Sequence, residues 1–402
     1  MRRGATSFSL RGGVFAAVAL LFALCAAWSI AAIPRVEDVD SGSYRLMARG
    51  EPACRPYANR ILHPALAGFM WRRFQPPTPN PQPLTPNSSI LNSQFHLIAV
   101  ISSLIFYLCI LSLLRDVRPR WLVFVLLISP LWWVWGGNIY IQDMFAAALT
   151  ALLLLLLRSS EPNSQFSIFN SQFSIPFVLF LLQLTRESSA LLSLALIALA
   201  LWRRRWRLAV GAFAAMAAGM AVVAWASRDA LPSANGLDGG VYLVAKALAN
   251  GVRNFTGVIP WNDGYAARMP WYYPDPPVWK CALPAFLQMG NVHEVGIYKF
   301  MPGVVLRTFA LWLLYFPGVI LLFFKGVPSA TGQQVNRSAI LNSQFSILNS
   351  PFYIQYSFVV GLVFWLLAPF SGPSLDRLVG YAWPLFWVAL PFLRPRRDKA
   401  EL

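Results

Sequence analysis

Asp38 and Asp40 stand two positions apart at the head of a polar tract, beside Glu37, and the tract continues into a basic and aromatic run of Arg55, Tyr57, Arg60 and His63. A positioned carboxylate can act as general base toward a hydroxyl, and arginine can hold a phosphate through paired charge-assisted hydrogen bonds. Together they suit transfer of a group from a phosphorylated donor to an alcohol. In an extended loop the two aspartates would point to one side, whereas on a helix they would lie about 200° apart. One of them is therefore expected to reach the acceptor. Asp40 is the preferred base because it precedes an amphipathic stretch from Tyr44. Asp38 is the alternate, and the whole knot also fits a plain solvated loop start.

Four further groups add to this chemistry. Asn138, Tyr140, Gln142 and Asp143 gather before an apolar run, where an acidic residue also suits a helix N-terminus. Arg186 and Glu187 interrupt another apolar run; ionisable residues are costly there, so they mark either function or a structural ion pair. Asp376 and Arg377 sit between the last two apolar runs, where a simple turn would also use them. The tract 254–280 sets Trp261, Tyr265, Trp271, Tyr272, Tyr273 and Trp279 beside Asp263 and Asp275. Flat rings with polar edges suit sugar faces and suit a membrane interface equally. His63 reads as a structural residue before a catalytic one.

The elements that must position these groups are apolar. Of 402 residues, 57% are hydrophobic and 12% charged, against about 25% charged in an ordinary soluble domain. The runs are continuous and do not alternate, which indicates helices and excludes a barrel. The fold class is therefore all-α, a polytopic integral membrane protein forming one membrane domain over 1–402. The net charge of +17 does not indicate nucleic acid: Lys and Arg cluster at the ends of apolar runs, the positive-inside pattern, which also suits anionic headgroups. Four cysteines without a CxxC, and scarce histidine, argue against structural zinc. No metal and no cofactor is required. Cys54 and Cys281 both fall on the outer side of the topology below, so a disulfide between them is an expectation.

Reading along the chain, residues 13–33 read as the first span; a signal peptide is the competing reading, allowed by Ala31 and Ala32, and an uncleaved helix is preferred because the run exceeds the usual signal-peptide core. Its basic N-terminus stays inside, so 34–96 is the first periplasmic loop, with a proline-rich linker at 76–86. Spans follow at 96–114, 121–135 and 139–157. The segment 175–202 starts and ends inside and must be a re-entrant or short-helix hairpin with Arg186 and Glu187 at its outer apex. Spans at 208–226, 302–324, 352–370 and 378–393 complete about ten crossings with both termini cytoplasmic. The large aromatic loop is 227–301, and 371–377 is a short outer turn. Short copies of Asn-Ser-Gln-Phe start at Asn92, Asn163, Asn170 and Asn342, with a variant at Asn349; 326–351 is a cytoplasmic loop containing them. They read as a repeat tolerated in loops or as a docking motif, and no chemistry is placed on them.

With Asp40-x-x-x-Tyr44, Arg60-x-x-x-Pro64, the run 138–143, Arg186-Glu187 and Asp376-Arg377, the chain resembles the GT-C superfamily of integral membrane glycosyltransferases, in particular bacterial members without an assigned activity. The resemblance implies an acidic base in the first outer loop, falling on Asp40 or Asp38, and a polyprenyl-phosphate-linked sugar donor used at the periplasmic face of the inner membrane. The expected partners are that donor, membrane lipids and a glycan or lipid acceptor. The substrate-binding set is Arg60, His63, Tyr140, Gln142, Asp143, Arg186, Glu187, Trp261, Asp263 and Arg377. No large soluble domain follows the last span, which leaves the acceptor open. The rival readings are a lipid-linked glycan flippase or transporter, which should carry ionisable residues deep in its spans and repeated halves, and a glycan polymerase using the same outer face.

Overall fold

The computed structural model describes residues 39–53, 57–74, 88–114, 143–161, 171–230, 239–259, 293–295, 298–300, 302–315, 350–370 and 375–389. These are overwhelmingly helical. The first, α1 (Val39–Arg49), is followed by a short 3-10 turn (Tyr57–Asn59), α2 (Leu62–Phe74) and α3 (Ser88–Leu113). Then come α4 (Asp143–Ser159), α5 (Ser171–Thr185), α6 (Ser189–Trp202) and α7 (Trp206–Ala226). The chain closes with α8 (Gly239–Thr256), α9 (Pro302–Leu314), α10 (Phe352–Leu367), a 3-10 turn (Ala368–Phe370) and α11 (Leu375–Ala389). Among the described residues, three segments are long and apolar enough to cross a membrane: Leu91–Leu113, Trp206–Ala226 and Phe352–Phe370.

The main core joins α3, α4, α5, α6, α10 and α11. Leucine and alanine rows such as Leu153, Leu154 and Leu157 on α4 and Leu192, Leu196 and Leu199 on α6 are fully or nearly fully buried. α7 packs along both arms of the α5–α6 pair. A Cβ at Gly219 would stand 2.5 Å from Gln183 Cβ, so glycine is what lets α7 and α5 approach. In the hairpin itself, Gln183 Nε2 donates to Ser193 Oγ at 2.9 Å. α10 and α11 are locked by the Ser357 hydroxyl donating to the Leu385 carbonyl, 2.8 Å. α9 is tied to α10 by stacked Trp312 and Trp365, each indole N–H donating to the other residue's carbonyl.

The hairpin expected over 175–202 is present as α5 and α6. Their 15 and 14 residues extend roughly 22 and 21 Å at 1.5 Å per residue. A bilayer core is about 30 Å thick. The pair is thus too short for two full crossings, and Arg186 to Ser188 make the turn between its arms.

Several expectations change. The stretch 34–96 is largely structured: α1 and α2 pack on the first turns of α3 around Tyr44, Ala48, Ala67, Trp71, Leu91 and Phe95, a second small core. A Cβ on Gly68 would meet the Ala48 carbonyl at 2.1 Å, so α1 and α2 touch backbone to backbone. α3 starts at Ser88, eight residues before the expected span, and contains the repeat copy at Asn92. Loop tolerance cannot explain that copy, because Phe95 is buried. The copy from Asn170 opens α5, and the variant from Asn349 leads into α10. Where described, the repeat lies in a helix or at the start of one, with Phe95 and Phe352 buried and Phe173 exposed. Asp376 and Arg377 belong to the first turn of α11 and not to a loop. Within 227–301 the structure adds α8 and a three-stranded antiparallel sheet in the order β1 (Val258–Ile259), β3 (Tyr298–Phe300), β2 (His293–Val295). The spans expected at 13–33 and 121–135, and Cys54 and Cys281, lie outside the described residues.

Candidate functional site

Five residues singled out from the sequence meet at one end of the bundle: Arg60, His63, Asp143, Arg186 and Glu187. Three separate segments deliver them. The 3-10 turn and α2 bring Arg60 and His63, the first residue of α4 is Asp143, and the α5–α6 turn holds Arg186 and Glu187. Each sits where a helix begins or ends, so backbone geometry sets its position while the apolar arms anchor the segments.

Two ion pairs make the core of the site. Arg60 Nε donates to both Glu187 oxygens, at 3.1 and 3.3 Å, and Arg60 Nη1 donates to the Tyr44 hydroxyl at 2.7 Å. Its guanidinium also lies 5.8 Å from the Tyr57 ring centre. Arg186 Nη1 is bonded to Asp143 Oδ1. The Tyr381 hydroxyl from α11 lies 2.9 Å from the same Oδ1 and also contacts the Asp143 carbonyl. Tyr381 stacks under the Arg186 guanidinium at 5.8 Å.

Exposure separates the two carboxylates. The Asp143 side chain is 0% exposed and that of Glu187 is 30% exposed. Asp143 can hold Arg186 but cannot touch a substrate; Glu187 can. Burial works against charge on Glu187, yet the attraction of Arg60, a backbone N–H, the Arg60 hydrogen bonds and Arg186 together hold its carboxyl below the ordinary range. An ionised carboxylate so stabilised is a charge partner and a weak proton acceptor. Among the described residues, Arg186 spends one N–H group on a carboxylate, and a guanidinium has five. The others are available to an anionic ligand. An anion approaching Arg60 must compete with Glu187.

His63 lies beside these pairs, its ring 5.1 Å from Phe95 and 6.0 Å from Phe145. Burial pushes its pKa down to about 4, against the pull of Asp143. Its buried Nδ1 has no hydrogen-bond partner among the described residues. A neutral imidazole packed between phenylalanines fits a structural role.

Asp40 lies on α1 one turn before Tyr44, so its backbone position falls on the same helix face as the tyrosine that meets Arg60. For Asp40 and for Arg377 on α11 only the backbone is described. Asp38, Tyr140, Gln142, Trp261 and Asp263 lie outside the described residues. Tyr381 belongs to the cluster and carried no sequence signal: it is one aromatic among many in an apolar run. Tyr44 carried one only through its spacing from Asp40. Among the described residues there is no group of His, Cys, Asp and Glu that could hold a metal ion.

The class that fold and site define is a helical protein with membrane-length apolar helices and a charged cluster assembled at one end of its bundle. Scans against protein-family models, curated proteins and solved structures find no match to the chain.

Proposed function

We propose that the chain is a GT-C-type glycosyltransferase of about ten spans in the bacterial inner membrane, transferring a sugar from a polyprenyl phosphate to an acceptor hydroxyl at the periplasmic face. The observation that carries this reading is the meeting of the first-loop residues Arg60 and His63 with Asp143, Arg186 and Glu187 at one end of the bundle. The acceptor oxygen attacks the anomeric carbon, the bond from that carbon to the phosphate oxygen breaks, and the lipid phosphate leaves. Asp40, or else Asp38, takes the acceptor proton. Arg186 holds the phosphate through its unused N–H groups while Asp143 and Tyr381 fix its position. Arg60 adds a second positive charge, shared with Glu187. The aromatic tract containing Trp261 and Asp263 covers the sugar, and the product is a cell-envelope glycan or glycolipid.

The test is incubation of the purified full chain with a panel of polyprenyl-phosphate sugars, following release of lipid phosphate. Asp40→Asn should lower turnover by about 10²–10⁴ while leaving lipid binding intact, and Asp38→Asn should do less. Wild-type turnover in both variants would remove the base assignment. Binding of the donor without any release of lipid phosphate would favour a lipid-linked glycan flippase, for which a buried Asp143–Arg186 pair between helices is also a suitable device.

A further inference from the structure

The turn from α6 to α7 reads Trp202-Arg203-Arg204-Arg205-Trp206-Arg207. It ends α6 with the same cap that ends α1. At α1 the N–H groups of Gly50 and Glu51 donate to the carbonyls of Met47 and Leu46, and Gly50 takes the left-handed conformation at φ +85°. At α6 the N–H groups of Arg204 and Arg205 donate to Leu201 and Ala200, at 3.0 and 2.8 Å, and the left-handed residue is Arg204 at φ +56°. Glycine is the residue that fits this position without strain. The α6 cap instead carries a cation in a conformation that costs an L-residue energy.

The four arginines of the turn divide into two kinds. Arg203 Nε donates to Gln355 Oε1 at 3.0 Å, and Arg205 Nη2 donates to Glu161 at 3.2 Å while lying 4.6 Å from the Phe352 ring centre. These two clamp the turn onto α10. Arg204 and Arg207 are exposed and, among the described residues, make no ion pair or side-chain hydrogen bond. Trp202 and Trp206 stand on either side of Arg204, with Arg207 directly after Trp206, and are 59% and 62% exposed. α7, which starts at Trp206, is long and apolar enough to cross a membrane, so the turn stands where the chain leaves the apolar layer. Exposed indoles belong at that level, and guanidinium groups match phosphate oxygens through paired donors.

We propose that this turn binds anionic phospholipid headgroups, with Arg204 and Arg207 on the phosphate and Trp202 and Trp206 seated beside them at the interface. The clamps from Arg203 and Arg205 pre-set the surface, so little ordering is left for the lipid to impose.

The test is native mass spectrometry of the full chain released from neutral detergent micelles containing phosphatidylglycerol or phosphatidylcholine in equal amount. The wild-type chain should retain phosphatidylglycerol preferentially. Arg204→Gln and Arg207→Gln should each lower that retention about fivefold, corresponding to one basic residue at an anionic surface. Arg204→Gly separates binding from folding: it should raise the unfolding temperature by relieving the left-handed strain while lowering lipid retention. Arg228→Gln, beyond the opposite end of α7, should leave retention unchanged. Equal retention of both lipids, undiminished retention in the Arg204→Gln/Arg207→Gln double variant or in Arg204→Gly, or an equal loss in Arg228→Gln would each overturn the proposal.

Discussion

The two ends of α4 handle charge in opposite ways. Its first residue, Asp143, is fully buried and enters a cluster of two arginines, two carboxylates and a neutral histidine, in which each charge has an opposite partner. About 25 Å away along its 17 residues, its last turn meets arginines in excess. There Arg158 donates to the carbonyls of Ser112 and Leu113, closing the end of α3. Glu161 accepts from Arg205 and from the Phe352 N–H, capping α10. At the first end every charge answers a charge on a distant segment; at the second a partly exposed pair, Arg205–Glu161, stands beside contacts to helix-end backbone, and the surplus faces outward. A neutral, internally paired cluster can discriminate a ligand by exchange of partners, whereas an open basic end attracts any anionic surface. The difference also predicts where the protein is fragile.

The largest break in this comparison is Asp143→Ala. It strands Arg186 and the Tyr381 hydroxyl in a buried place, and losing one partner of such a pair costs about 3–5 kcal/mol. Thermal unfolding in detergent should show that loss, and Asp143→Leu with Arg186→Met should recover a large part of it, since an apolar pair leaves no orphan charge. A single variant as stable as the wild type would mean that the pair is not a buried structural device.

Acid should break the same end next. The folded pKa of His63 is about 4, against an ordinary 6.5. Above 6.5 the imidazole is neutral in both states and its contribution is complete. As pH falls from 6.5 toward 4 the unfolded chain takes up a proton that the folded chain refuses, so stability drops, by about 3 kcal/mol at most. Glu187 acts with the same sign at lower pH, since its depressed carboxyl loses its contribution as it is protonated. Unfolding midpoints measured from pH 7.5 to 4.5 should therefore fall, and His63→Phe should flatten the slope. An unchanged slope in that variant would show that the acid sensitivity arises elsewhere.

The smallest effect belongs to the basic end. Glu161→Gln removes a partly exposed pair with Arg205 but keeps an oxygen for the Phe352 N–H, so the expected loss is about 0.5–1 kcal/mol. Added salt should erase most of it. A loss as large as that of Asp143→Ala would make the two ends equivalent and end the contrast.

The sequence by itself determined the helical character, the hairpin over 175–202 with Arg186 and Glu187 at its apex, and most of the helix positions among the described residues. These are local properties: run length, Lys and Arg at run ends, and the cost of a charge within apolar chain. It also marked Arg60, His63, Asp143, Arg186 and Glu187 individually, because polar residues stand out against an apolar background. Only the tertiary structure decided that these five are neighbours, since pairs such as Arg60 and Glu187, 127 positions apart, depend on which helices pack and in what register. It alone decided that Asp143 is sealed while Glu187 is reachable, that Tyr381 joins them, and that the repeat copy at Asn92 is core-forming helix. Burial and pairing are properties of the packed assembly, and a linear pattern of residue types carries no information on which apolar face meets which.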